Sequence, residues 1–441
     1  MTQVVGAGTV PPVGPGQPSL RSRIRWRVAD QVLSSLTVVG LSFVVARSVE
    51  AHAFGVFGVV VLLAGFALGI TRAMVSDVFL IQFGDAVPSV RRQAARNATG
   101  AAVALGLAAG TFCCLVSAVL PGRPIRTAVF AVGLALPGLL VQDCFRLVFI
   151  AAGRPRPALV LGLSGAAVQF AVVGLLIGAG HHSMVGITAG WGAVALLSAG
   201  VGCLLARLTP TLREVPLWFA LNRHLTVRLS IDYLLGLGSL YLAYCLIGGV
   251  VGIAAIGALW AAQMFLVPAY LAISGTSALL RASFATRAER EQSLMRPALL
   301  AGLGLGLIAG LWGAALTAVP EWLGLHLSGQ SWDGASEVLE PAVIGVVMVG
   351  LGAGPVLALR ALGRLEALRR AWLIRAALLL VLGIVGANLN GVRGAATGLV
   401  AAHVIGALTL WAQFLRNSAS RNSASRNSAS RNSALPERSA R

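Results

Sequence analysis

Lysine is absent from this chain: all 34 basic residues are arginine, set against 15 Asp and Glu. Charged residues make up only 11% of the sequence and aromatics 6%, while 57% is hydrophobic and the mean hydropathy is +0.84. So little charge excludes a soluble globule, which has too little polar surface to cover that much apolar area. The missing lysine, beside abundant Ala and Gly, fits a GC-rich genome, so arginine identity carries no functional weight by itself. The net charge of +19 lies in connections and termini. There it suits anionic lipid headgroups, and no nucleic-acid partner is expected.

Cysteine is also scarce. Cys113, Cys114, Cys144, Cys203 and Cys245 all fall in apolar runs without CxxC or Cys/His spacing. They read as packing residues, so no metal and no cofactor is expected. The first 20 residues lack any positive charge and contain GAGTVPPVGPGQP. They read as a disordered leader rather than a secretion signal.

What is abundant is long apolar segments. Spans are expected near 28–47, 54–82, 97–120, 127–152, 157–180 and 184–206, and again near 229–248, 251–281, 297–319, 337–359, 371–389 and 394–415. The domain reading is a leader 1–20, a six-helix bundle 21–206, a cytoplasmic linker 207–228, a second six-helix bundle 229–415, and a disordered tail 416–441 built on RNSAS repeats. The chain is thus expected to be an all-α polytopic membrane protein. Its twelve transmembrane helices form two parallel six-helix repeats around a central cavity, with both termini cytoplasmic. A shift of 202 residues places Asp30 on Asp232 and Gly55 on Gly257, with matching hydropathy along the hairpin that follows.

Arginine distribution tests the count. Connections assigned inside hold Arg91, Arg92, Arg96, Arg154, Arg156, Arg287, Arg290, Arg296, Arg360 and Arg364, among others. Those assigned outside hold only Arg47, Arg123, Arg126 and Arg393. One missed span would invert this asymmetry, so it supports twelve.

Charge inside the spans points to a site. Arg72 and Asp77 interrupt an apolar run, with Arg72 about 27 Å along its helix from Phe54. Asp143 and Arg146 share a helix face at similar depth and can partly neutralise each other, and Asp30 can pair with Arg72. Asp232 and Arg281 occupy corresponding positions in the second half. Arg72, Arg146, Arg281 and Asp143 are therefore read as lining a cavity that accepts an anionic head group, with Asp30, Asp77 and Asp232 as pairing or coupling groups. The competing reading has the residues near span ends, Asp30, Asp232 and Arg281, reaching to the interface. Pro137, Pro268, Pro341 and Pro355 offer kinks in the spans. Gly162 to Gly165, GLSG, with His403 looks like a rhomboid Ser/His dyad, but Ser164 and His403 are expected at different depths, so no catalytic residue and no enzyme activity is expected.

The run DQVLSSLTVVGLSFVVAR, a connection ending FGVFG, and GITRAMVSDVFL together resemble the opening of polysaccharide (O-antigen type) flippases in the multidrug/oligosaccharidyl-lipid/polysaccharide exporter superfamily. That resemblance implies movement of polyprenyl-diphosphate-linked oligosaccharide from the inner to the outer leaflet of the bacterial inner membrane. It implies a head-group contact at Arg72 in TRAMVSD. The partners it brings are the lipid-linked oligosaccharide, membrane lipids, a polysaccharide polymerase and glycosyltransferases. A cation-coupled multidrug or metabolite antiporter of the same fold, and a membrane scaffold of envelope assembly, are the alternatives.

Overall fold

The computed structural model describes residues 20–180 and 183–433. The leader up to residue 19, His181, His182 and residues 434–441 lie outside the described residues. Everything described is helix or a short connection. The helices are α1 (Leu20–Ser48), α2 (Ala51–Phe83), α3 (Pro88–Val119), α4 (Arg123–Ala151), α5 (Pro155–Gly178), α6 (Met184–Ala206) and α7 (Leu212–Val251). They continue as α8 (Ile253–Glu289), α9 (Met295–Thr317), the short α10 (Glu321–Ser328), α11 (Ser331–Ala361) and α12 (Leu365–Ser433). All but α10 contain a stretch long and apolar enough to cross a membrane.

α12 is broken where Asn390 and Gly391 leave helical geometry, at φ −147° and +56°. The two arms fold back on each other. A Cβ on Gly394 would lie 2.0 Å from the Gly386 carbonyl oxygen, and one on Gly398 equally close to that of Leu382. Small residues permit this backbone approach. The second arm continues as helix through the RNSAS repeat to Ser433, where the sequence alone leads us to expect no structure. Ala and Arg are strong helix formers, and a helix already nucleated by the preceding span propagates at low cost.

The chain divides into two compact units. One runs to Tyr241 and includes His326–Ser331; the other comprises Leu242–Leu325 and the residues from Trp332 on. The division thus falls inside α7 rather than in segment 207–228. The reason is that 215–233 is helix with Trp218, Asn222 and Thr226 buried on one face at four-residue spacing. The Trp218 ring lies tilted against Phe83 of α2, with centroids 5.9 Å apart, and Thr226 Oγ1 donates to the Met74 carbonyl at 3.4 Å.

Within the first unit α4 is the buried axis, packed by α3, α6 and α2. Gly106 of α3 admits Pro137 of α4 so closely that a Cβ there would meet the proline Cα at 2.6 Å. α4 buries both its faces, which brings any charge it carries into the interior.

Candidate functional site

Three helices of the first unit bring charge together. On α1, Arg27, Asp30, Gln31 and Ser34 recur at helical spacing and so share one face. α2 supplies Arg72 and Asp77, and α4 supplies Asp143 and Arg146.

A local irregularity aims the α2 pair. Residues Arg72–Ser76 form a π turn, in which the Asp77 N–H donates to the Arg72 carbonyl five residues back. Such turns insert an extra residue and are frequent at functional sites. In a regular α-helix, positions five apart point to different sides; the wider turn lets Arg72 and Asp77 both reach partners on α1.

The bonds run between helices. Arg72 grips Asp143 with two parallel contacts, Nε to Oδ2 at 2.8 Å and Nη2 to Oδ1 at 2.6 Å, and donates from Nη1 to Gln31 Oε1 at 3.0 Å. Arg146 donates to Asp30 Oδ1 from Nε at 2.9 Å and from Nη2 at 2.5 Å, to the Asp30 carbonyl at 3.2 Å, and to Ser34 Oγ. Arg27 pairs with Asp77. Such charge-assisted forks are the strongest form of side-chain hydrogen bond.

Sequence spacing had favoured other pairings, Asp30 with Arg72 and Asp143 with Arg146. The helix-internal contact between Asp143 and Arg146 exists but is long, 3.9 Å. Side chains three apart on one helix lie side by side, whereas facing helices allow end-on approach of guanidinium to carboxylate. Three arginines are thus matched by three aspartates.

Exposure grades across the cluster. The Arg146 and Asp30 side chains are 10% and 6% exposed, Arg72 and Asp143 26% and 8%, and Arg27 and Asp77 41% and 26%. The deep pair is structural in character, and the outer arginines are reachable.

Beside this cluster α7 carries a second π turn, Leu234–Gly238. Tyr233 just before it leans on Phe66 at 6.0 Å and donates its hydroxyl to the Phe66 carbonyl at 3.2 Å. Its ring occupies the space over Gly69, where a Cβ would collide at 2.2 Å. Asp232 is half-buried next to it.

Of the residues singled out from sequence, the structure brings together Asp30, Arg72, Asp77, Asp143 and Arg146. Asp232 lies one helix away, and Arg281 sits exposed on α8 in the second unit. Arg27, Gln31 and Ser34 were missed as site residues, although their spacing with Asp30 on one helix face was visible. Ser164 and His403 each bond within their own helix, to the Val160 carbonyl at 2.6 Å and the Leu399 carbonyl at 2.7 Å. No cluster of metal-ligating residues occurs among the described residues.

No family model matches the sequence, and no curated protein matches it. Solved structures do. The inward closed conformation of the lipid II flippase MurJ superposes with TM-score 0.68 over 88% of this chain and 89% of that one, at 12% identity. An inward-facing multidrug resistance MATE transporter of the MOP superfamily gives 0.61 over 92% and 97%, at 15% identity. The chain shares the fold of these structures. A MOP superfamily transporter from Pyrococcus furiosus, described as having a binding pocket of reverse polarity, gives 0.55 over 91% and 97%, at 15% identity. The all-helical, membrane-spanning architecture follows from this fold and from the apolar helices together.

Proposed function

We propose that this chain is a membrane flippase that carries polyprenyl-diphosphate-linked oligosaccharide from the inner to the outer leaflet of a bacterial plasma membrane. It crosses the bilayer twelve times with both termini cytoplasmic, and a polysaccharide polymerase and glycosyltransferases act on the same glycan. The observation that carries the reading is the arginine–aspartate cluster of α1, α2 and α4, set within membrane-spanning helices and open at Arg72 and Arg27. Arginine forks match diphosphate oxygens, and at low dielectric the match is strong. Similarity of fold to a lipid II flippase supports a lipid-linked substrate.

The one-to-one charge balance supports a coupled cycle. An incoming diphosphate takes over the Arg72 donors from Asp143, and the released carboxylate then takes a proton or a cation. The same balance favours a second reading, a cation-coupled drug or metabolite antiporter in which the aspartates are the working groups.

The test is outward movement of labelled polyprenyl-diphosphate oligosaccharide in reconstituted vesicles. Wild type is expected to transport, and Arg72→Ala to lose transport while remaining folded in the membrane. Transport retained by Arg72→Ala overturns the site. Failure of wild type to move any of several glycans, with uptake of a fluorescent organic cation driven by a proton gradient, selects the antiporter.

A further inference from the structure

The second unit carries an open groove of about 370 Å³ along α8 and α9. Thr276, Leu280 and Arg287 line it from α8, and Leu300, Gly304 and Ile308 from α9. Its walls are largely apolar, with the hydroxyls of Thr276 and Ser283 along α8 and a single charge, Arg287, at one end. Leu300 is 73% exposed and Ile308 45%, so the groove opens on an exposed apolar face of a membrane-spanning helix pair, which lipid is suited to fill.

Length identifies the occupant. From Thr276 to Arg287, and equally from Pro297 to Ile308, is eleven residues, about 16 Å of helix. Half of a hydrocarbon core about 30 Å thick is one leaflet. The groove is therefore about one leaflet long, which suits one acyl chain and falls far short of a polyprenyl tail.

Charge identifies the head group. Arg287 lies in the last turn of α8, followed by Arg290 and, in the first turn of α9, Arg296. Glu289 and Glu291 share this end, but among the described residues the Arg287 guanidinium has no ion pair or hydrogen bond with them. Its fork of donors stands at the groove mouth, where it matches the oxygens of a lipid phosphate.

We propose that this groove is a specific site for an anionic glycerophospholipid, with one acyl chain between α8 and α9 and the phosphate on Arg287. Gly304 makes the groove possible: a Cβ there meets nothing within 4 Å, so the position is open space rather than a packing contact. A larger side chain at 304 fills the lipid's place without displacing protein.

The experiment is native mass spectrometry of the full chain in mild detergent, titrated with phosphatidylglycerol or phosphatidylcholine of the same acyl chains. Wild type is expected to retain one phosphatidylglycerol in preference to phosphatidylcholine. Arg287→Gln should weaken phosphatidylglycerol binding about fivefold, as expected for one phosphate–arginine contact at the membrane surface, and weaken phosphatidylcholine, whose phosphate is offset by its own choline, by less, so that the preference shrinks. Gly304→Trp should remove the retained lipid of either kind. Equal retention of both lipids by wild type, or an undiminished preference in Arg287→Gln, overturns the proposal. So does displacement by undecaprenyl phosphate at lower concentration than phosphatidylglycerol, which would assign the groove to a polyprenyl tail. Should Gly304→Trp aggregate, Ile308→Trp, at the outer lip, makes the same test.

Discussion

At the scale of single residues, the three ion pairs differ in what they contribute, and burial decides how. Arg146 and Asp30 are almost enclosed, so removing one strands a charge at low dielectric. Arg146→Ala is expected to cost about 3–5 kcal/mol and to lower the unfolding temperature of the detergent-solubilised protein sharply. Replacing both, Arg146→Met with Asp30→Leu, should recover most of that loss, because the penalty is the unpaired charge rather than the lost attraction. Arg27 is far more open, and Arg27→Ala should change stability by no more than about 1 kcal/mol. On the proposed function its effect falls on substrate capture, read as weakened transport at low substrate concentration with near-normal transport at high. Asp143 sits between two guanidiniums, 2.6 Å from Arg72 and 3.9 Å from Arg146. Asp143→Asn leaves Arg72 with a neutral partner and is expected to slow release of an anionic substrate more than its binding.

At the scale of elements, α2 and α7 each carry a π turn, and the two helices meet through Tyr233. The ring needs Gly69 to have no side chain. Gly69→Ala should push Tyr233 out, lower thermal stability and disturb transport together; adding Tyr233→Ala should restore stability by vacating the space. If Gly69→Ala is silent, the close approach of α2 to α7 is not required. Sequence reading placed the transmembrane runs well because hydropathy is summed over some twenty residues and survives local noise. It did not foresee the π turns, since RAMVS and LLGLG contain nothing that forbids an ordinary α-helix. It also treated 207–228 as a connection because of its Pro and Arg content, whereas Trp218, Asn222 and Thr226 form a buried stripe that extends α7.

At the scale of the whole molecule, the number of crossings is a parity question. The break at Asn390 and Gly391 turns α12 into two antiparallel arms, and on the proposed twelve-crossing topology both termini lie on one side of the membrane. Tags at the N- and C-termini are therefore expected to be equally accessible to protease in inverted vesicles and equally protected in intact cells. Tags on opposite sides would require that α12 cross only once. The sequence by itself determined that this is a helical membrane protein, where its apolar runs lie, and that Asp30, Arg72, Asp77, Asp143 and Arg146 are charges set in apolar surroundings. Composition and helical period suffice for that, because each is a property of neighbouring residues. Only the tertiary structure decided that Arg72 holds Asp143 while Arg146 holds Asp30, that Arg27 and Gln31 join them, and that α8 and α9 leave an open groove with Arg287 at its mouth. Those facts depend on the approach of helices that lie up to 116 residues apart in sequence, and bidentate geometry between facing helices outweighs proximity along one.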